Sequence, residues 1–178
     1  MINEIIKLIA PKRFQTFFVE EEIKEENVMV RPTYLSICAA DQRYYQGLRK
    51  KEILDKKLPL TLIHEAVGEV LYDPKGKFKT GEKVVMIPNT PMSEDEIIKE
   101  NYRRDSKFRS SSVDGFLQNV VAIRRDRIIP IRNIKEEVGS LLELASVSIN
   151  AIESFLQNCH EKRDIIGVWG CGNVGYIT

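Results

Sequence analysis

His64 and Glu65 frame the chemistry available to this chain. They sit inside Leu60–Leu71, Leu-Thr-Leu-Ile-His-Glu-Ala-Val-Gly-Glu-Val-Leu, and His64 is one of only two histidines in 178 residues. Apolar residues flank the pair on both sides, which predicts partial burial. A buried imidazole beside a buried carboxylate is costly unless each has a partner, and one metal ion satisfies both. Two further ligand types stand elsewhere: Cys38 in Tyr-Leu-Ser-Ile-Cys-Ala-Ala-Asp, and Glu143 in Leu-Leu-Glu-Leu-Ala-Ser. A thiolate, an imidazole and a carboxylate are all zinc ligands, and three protein ligands leave the open position a catalytic zinc needs. At that position a carbonyl is polarised, or the pKa of an alcohol is lowered. Glu65 reads as a supporting carboxylate or an alternate ligand, and Asp41, three residues after Cys38, as a group that orients His64. Residue types alone leave another reading open. Cys38 is then a small buried hydrophobe and His64 a satisfied core residue, because scattered ligands are less specific than tight Cys-x-x-Cys pairs.

A second constellation lies near the end: Gly170-Cys171-Gly172-Asn173-Val174-Gly175 after the apolar run Ile165–Trp169. A strand, Gly-x-Gly-x-x-Gly and a helix form the dinucleotide fingerprint, in which glycines let the backbone approach a pyrophosphate at a helix N-terminus. Gly170, Gly172, Val174 and Gly175 are the candidate cofactor contacts. An ordinary tight turn accounts for the same glycines.

The elements that must position these groups follow from pattern and turn chemistry. Ile5–Ala10 and Phe14–Val19 read as a hairpin, and Asn27–Ile37 as a strand with Pro32 at a bulge or edge. Ala39–Tyr45 is helical in composition and ends at Gly47, a C-cap. Arg49–Lys57 is a charged loop or short helix. Gly68–Tyr72 and Glu82–Ile87 are strands, with Asp73–Gly76 and Thr80-Gly81 as turns between them. Ser93 through Tyr102 reads as a helix with Glu96 completing a capping box. Phe116–Ala122 and Arg127–Ile131 are strands, Ser140–Asn158 is the longest helical signal, and Asp164–Trp169 is a short strand. Many short strands, then a helix, a strand and a glycine-rich loop describe a mainly β fold with some α: a β-barrel-like domain followed by the start of an α/β domain.

Bulk properties narrow the class. Hydrophobic residues make up 43% and charged residues 30%, an ordinary soluble balance. A net charge of +1 gives no global field for nucleic acid or an acidic membrane. No apolar run reaches the roughly 20 residues of a bilayer span, and the N-terminus lacks a signal-peptide core. Three cysteines without disulfide-like spacing suit a reducing compartment, so the expected location is cytoplasmic.

Taken in order, these motifs resemble the zinc-containing medium-chain dehydrogenase/reductase family, the alcohol dehydrogenase-like enzymes. The motifs that carry the likeness are Cys38–Asp41, His64-Glu65 with Gly68, Gly81–Val85, Asp114-Gly115-Phe116, Glu143 and Gly170–Gly175. The resemblance implies a GroES-like zinc-binding catalytic domain over 1–158 and the incomplete beginning of a Rossmann nucleotide-binding domain over 159–178. It implies Glu143 as third zinc ligand, as in the polyol dehydrogenase branch, and Tyr44 as a substrate-pocket residue. Cys-Ala-Ala-Asp-Gln-Arg-Tyr-Tyr-x-Gly, Leu-Ile-His-Glu-Ala-Val-Gly-Glu-Val, Val-Met-Ile-Pro-Asn-Thr-Pro and Phe-Arg-Ser-Ser are most similar to the ribulose-5-phosphate reductases. That branch implies reduction of D-ribulose 5-phosphate to D-ribitol 5-phosphate with NADPH (or NADH), for CDP-ribitol and wall teichoic acid or capsule synthesis. A cytidylyltransferase acting on the product and a homo-oligomer of the full-length chain are the implied partners. Such a substrate needs a phosphate clamp, for which Arg43 with Arg109 or Lys107 is the candidate, against a plain solvated surface for Arg103–Arg109.

Two departures from the family pattern carry consequences. Ala40 stands where many relatives have a Ser or Thr proton relay, so the proton path must run through bound water, Glu143, Glu65, Tyr44 or the cofactor ribose. The segment Asn89–Ser112 holds no cysteine where the family's structural zinc lobe falls, so one catalytic zinc and no structural zinc are expected. Cys159-His160 is read as incidental and Cys171 as packing within the fingerprint. The family's nucleotide domain and last catalytic strands lie mostly beyond Thr178, so the chain is expected to be inactive alone, with a loosely packed tail. Another polyol or alcohol dehydrogenase, a zinc-free quinone-reductase-like enzyme and a non-catalytic barrel with a vestigial metal site are the alternatives, and metal content separates the last two from the zinc enzymes.

Overall fold

β1 (Ile2–Ala10) and β2 (Arg13–Glu20) pair antiparallel around the Pro11-Lys12 turn, as the two apolar runs predict. The computed structural model describes residues 1–159, 161 and 166–178. After the acidic loop come β3 (Asn27–Ser36), α1 (Ala39–Tyr45), α2 (Lys51–Lys57), β4 (Glu65–Tyr72) and β5 (Lys83–Met86). The short β6 (Asn89–Thr90) pairs with β7 (Lys107–Phe108). β8 (Val121–Arg124) and β9 (Ile128–Pro130) then join the main sheet, whose order is β8-β3-β4-β5-β9, antiparallel throughout. Bridges Ile5↔Gln118 and Leu8↔Leu60 dock the first hairpin across it, so the sheet curls as a half-barrel with few helices.

The pleat decides which residues face inward, because side chains alternate along a strand. Val28 and Val30 of β3, Val84 and Met86 of β5, and Val121 and Ile123 of β8 meet Leu8, Leu62 and Phe116 in one buried cluster. Fully burying such a side chain contributes about 1.5–3 kcal/mol, so the cluster is what holds the sheet closed beneath the site. The β3–β4 register places Ser36 opposite Glu65 and shifts between Pro32 and Tyr34, the bulge that Pro32 signals.

α1 ends in a Schellman motif. Gly47 takes φ 73°, its N–H donates to Tyr44 O at 3.1 Å, and Leu48 N donates to Arg43 O at 2.9 Å. α3 (Glu136–Gly139), α4 (Leu142–Asn158) and α5 (Asn173–Ile177) complete the described residues. The long helical signal from Ser140 is interrupted at Leu141, which caps α4 with φ −94° and ψ 0°.

Three expectations need correction. Ser93–Tyr102 is not a helix; only a 3₁₀ turn at Glu100–Tyr102 forms. The Arg103 guanidinium gathers the carbonyls of Ser93, Asp95 and Ile98, and the Asp95 carboxylate accepts from Ile97 N and Ile98 N. Side chains thus take backbone groups that a helix would pair internally. Phe116–Val120 is not strand: Phe116 N and Leu117 N donate to Ile63 O and Leu62 O, and Asn119 N donates to Glu4 O. Of the expected strand at Asp164–Trp169, Asp164 and Ile165 lie outside the described residues, and Ile166–Trp169 forms no strand. Among the described residues no helix is long and apolar enough to cross a membrane.

Candidate metal centre

Cys38 reaches the site from the end of β3. It is the N-cap of α1, where its Sγ accepts from Ala40 N at 3.2 Å and its own N–H donates to Asp41 Oδ2 at 3.2 Å. This reciprocal cap fixes the thiol at the mouth of the helix. His64 and Glu65 arrive from the other side, at the start of β4. Because His64 precedes the strand, the alternation of a pleat does not force the two side chains apart. Ile63 takes φ 74°, a left-handed conformation that a β-branched residue rarely adopts, and its N–H donates to Asp41 Oδ1 at 3.0 Å. Gly115 makes the approach possible: a Cβ there would lie 2.2 Å from Leu62 O and 2.4 Å from Ile63 O.

The ligand atoms of Cys38, His64 and Glu65 all lie within 4.8 Å of one another. Cys38 Sγ is 4.0 Å from His64 Nδ1, and His64 Nε2 is 4.0 Å from Glu65 Oε1. Glu65 is 3% exposed, and its carboxylate receives no hydrogen bond among the described residues. Burial, then the Asp41 charge, pushes its pKa up. Burial likewise lifts the Cys38 thiol to about 11 and lowers the His64 imidazole, the latter partly offset by Asp41. A thiol and carboxyl groups, each held up by burial, thus gather around one imidazole, a donor set that a divalent ion completes. The residues present therefore fit a zinc ion by type and by proximity.

Glu143, on the first turn of α4, is outside that group of three. It lines the same cavity of about 800 Å³, with Ser36, Cys38, His64 and Glu65. Burial, followed by the charges of Glu65 and Asp41, raises it to about 7. Of the four carboxylate, thiol and imidazole candidates, Cys38, His64 and Glu65 stand together, and Glu143 shares their cavity without joining that group. Asp41 is also reassigned: its oxygens serve Cys38, Ile63 N and Ser110 Oγ rather than the His64 ring.

The other candidates fall into two sets. Gly170, Gly172, Val174 and Gly175 line the same cavity, and α5 starts directly after Gly172. Gly170 has φ 100°, and a Cβ on Gly175 would lie 2.2 Å from Gly170 O, so the glycines close a tight loop that leads into α5. Tyr44, by contrast, is 5% exposed in the core, with the Arg49 guanidinium 5.0 Å from its ring centre, and it does not line the cavity. Arg43 and Lys107 are exposed. Arg109 is committed to Asp114 O and Ala122 O and lies over the Phe116 ring, so it is part of the scaffold. Cys171 is exposed, Cys159 half-buried, and His160 lies outside the described residues. The tail leaves Trp169 and Tyr176 exposed. Sequence reasoning missed Phe108, whose ring stands edge-on to His64 at 5.3 Å, and Ser110, which donates to Asp41 at 3.0 Å. Their only signal was the Phe-Arg-Ser-Ser run itself.

Comparison with known proteins adds four findings. The alcohol dehydrogenase GroES-like domain profile matches residues 24–133. The ribulose-5-phosphate reductase of Bacillus spizizenii is 48% identical over 178 residues, covering 99% of this chain and 52% of that protein. Ribulose-5-phosphate reductase 2 of Staphylococcus aureus is 51% identical over 179 residues, again across 52% of its length. The crystal structure of S. aureus TarJ in complex with NADPH superposes with a TM-score of 0.76 at 42% identity, over 99% of this chain and 49% of that one. The chain spans about half the length of the curated relatives it matches.

Proposed function

From the premise that the chain belongs to the alcohol dehydrogenase family through its GroES-like domain, we propose that it is the metal-binding half of a zinc-dependent, NADPH-using sugar-phosphate reductase. In this reading residues 1–158 are the catalytic domain and 159–178 open the nucleotide-binding domain. The substrate is D-ribulose 5-phosphate and the product D-ribitol 5-phosphate, destined for CDP-ribitol and a teichoic acid or capsule polymer. The relatives named for that reaction support the substrate. The observation that carries the metal is the convergence of the Cys38 thiol, the His64 imidazole and the buried Glu65 carboxylate, whose ligand atoms lie within 4.8 Å of one another.

Cys38, His64 and Glu65 would hold the zinc, and Glu143 would stand at the cavity side. A zinc ion bound there supplies Lewis acidity to a carbonyl. The chain's own residues do the rest. α1 and Ile63 orient the donors through Asp41, while Leu141, Leu144 and Val147 line the cavity and exclude water. Glu143, raised to about 7, holds a proton near neutrality and is placed to pass it to a developing alkoxide, the role Ala40 cannot fill. The glycine loop presents backbone for a pyrophosphate. With Arg109 committed elsewhere, Arg43 and Lys107 are the remaining candidates for the phosphate group.

The test is metal analysis and turnover of the protein that carries this chain. One zinc per chain, lost in Cys38→Ser, with NADPH oxidised by ribulose 5-phosphate and far more slowly by ribulose, is the expected result. Absence of zinc in the wild type points instead to a vestigial barrel. Equal turnover of phosphorylated and plain ketoses points to a different polyol dehydrogenase.

A further inference from the structure

The segment Phe108–Ser112 does more than connect β7 to Asp114. It is pinned from three sides: Arg109 N donates to Pro88 O at 3.1 Å, the Arg109 guanidinium to Ala122 O at 2.8 Å, and Lys57 Nζ to Ser111 O at 2.7 Å. From that pinned loop two side chains reach the candidate metal centre. Phe108 lies against His64 with an interplanar angle of 60°. Ser110 is 4% exposed, and its Oγ donates to Asp41 Oδ1, the same oxygen that accepts Ile63 N. Ser110 takes φ 61° to do so. Two non-glycine residues in left-handed backbone, Ile63 and Ser110, thus converge on one buried carboxylate oxygen. Strain of this kind persists only where the surroundings over-determine it, and it collects at functional sites.

We propose that Ser110 is a positioning residue of the metal centre, acting through Asp41 on Cys38 and on the backbone that carries His64. The inference rests on the zinc reading above. The other Asp41 oxygen accepts from Cys38 N and from the Cys38 thiol, at 3.2 and 3.1 Å, so any swing of the carboxylate moves the thiol. With Ser110 in place, Oδ1 is held by two donors from separate chain segments and the carboxylate plane is fixed. Without it, Oδ1 keeps only Ile63 N. Groups that orient metal ligands typically change metal affinity by about 10–100-fold when removed.

The test compares Ser110→Ala and Ser110→Gly with the wild type. Glycine relieves the left-handed strain and also removes the hydroxyl, so a shared effect belongs to the hydroxyl alone. In the metal-free chain, the amide resonances of Cys38 and Ile63 and the ring resonance of His64 are expected to shift or broaden in both variants. In the cobalt-loaded protein, the visible absorption that reports coordination geometry is expected to change, with cobalt bound about tenfold or more weakly. Perturbations confined to residues 107–113, with the cobalt spectrum and affinity unchanged, overturn the proposal even if the melting temperature falls. Should the wild type bind no cobalt at the Cys38 site, the zinc reading fails separately, and the metal-free resonances still decide whether Ser110 positions the thiol and imidazole.

Discussion

Zinc binding to this chain should be strongly pH-dependent near neutrality, and the size of the effect follows from three side chains. Burial holds the Cys38 thiol up at about 11, so at neutral pH it carries a proton that a metal must displace. Burial and the neighbouring carboxylates put Glu143 at about 7, so it is half protonated there. Burial pushes His64 below its ordinary value, so the imidazole is already neutral and adds nothing. Each displaced proton makes binding about tenfold tighter per pH unit. Between about pH 7 and about pH 8, Cys38 therefore contributes about tenfold, while Glu143, which stands outside the ligand set, keeps its own proton and adds little. Calorimetric titration of zinc into the metal-free chain, in two buffers of different ionisation enthalpy, counts the protons. About one should leave near neutrality, and almost none in Cys38→Ser. Zinc binding with no proton release, or with the same release in Cys38→Ser, would refute the assignment of the thiol as a ligand.

Other consequences are independent of that titration. Glu65→Gln should weaken zinc binding by about tenfold or more, whereas Glu143→Gln should change it little; competition with a chelator ranks the two, and the reverse order restores Glu143 as the third ligand. The Asp73 carboxylate accepts from Arg125 Nη2 at 2.5 Å and from Phe78 N and Lys75 N, and these hold it down at about 2, against an ordinary 3.8. A depressed carboxylate stabilises the fold above its unfolded pKa, and that stability is lost as pH falls toward the folded value. Asp73→Asn should thus cost about 2 kcal/mol at neutral pH and almost nothing near pH 2, in thermal melts across the acid range. Gly115→Ala, with its Cβ driven into Leu62 O and Ile63 O, should cost at least about 1–3 kcal/mol in denaturant unfolding and weaken metal binding through the displaced His64 segment.

The parts of the fold that rest on local chemistry could be read in advance. The first hairpin, the Pro32 bulge, the helix Ala39–Tyr45 and its Gly47 cap all depend on neighbours in sequence. What could not be read depends on which side chains and segments claim the backbone groups. The apparent helix at Ser93–Tyr102 gives way to an arginine that collects carbonyls from its own loop. The strand expected at Phe116–Ala122 forms only from Val121, because Phe116 and Leu117 give their amides to the segment before His64. The site shows the same division. Cys38, His64 and Glu65 are visible as ligand types, but their ranking against Glu143 depends on how close each side chain comes. Tyr44 follows the family motif and yet packs inward under Arg49. Ser110 carries no residue-type signal at all, because a serine becomes informative only when its backbone is left-handed and a buried carboxylate lies 3.0 Å away.

A crystal of this protein grown with zinc and measured at the zinc absorption edge tests the metal centre most directly. One anomalous peak per chain, about 2.3 Å from Cys38 Sγ and about 2.0–2.2 Å from a His64 ring nitrogen and a Glu65 oxygen, is the expected result. A peak elsewhere, or none between those three side chains at saturating zinc, contradicts the metal centre and the reductase built upon it.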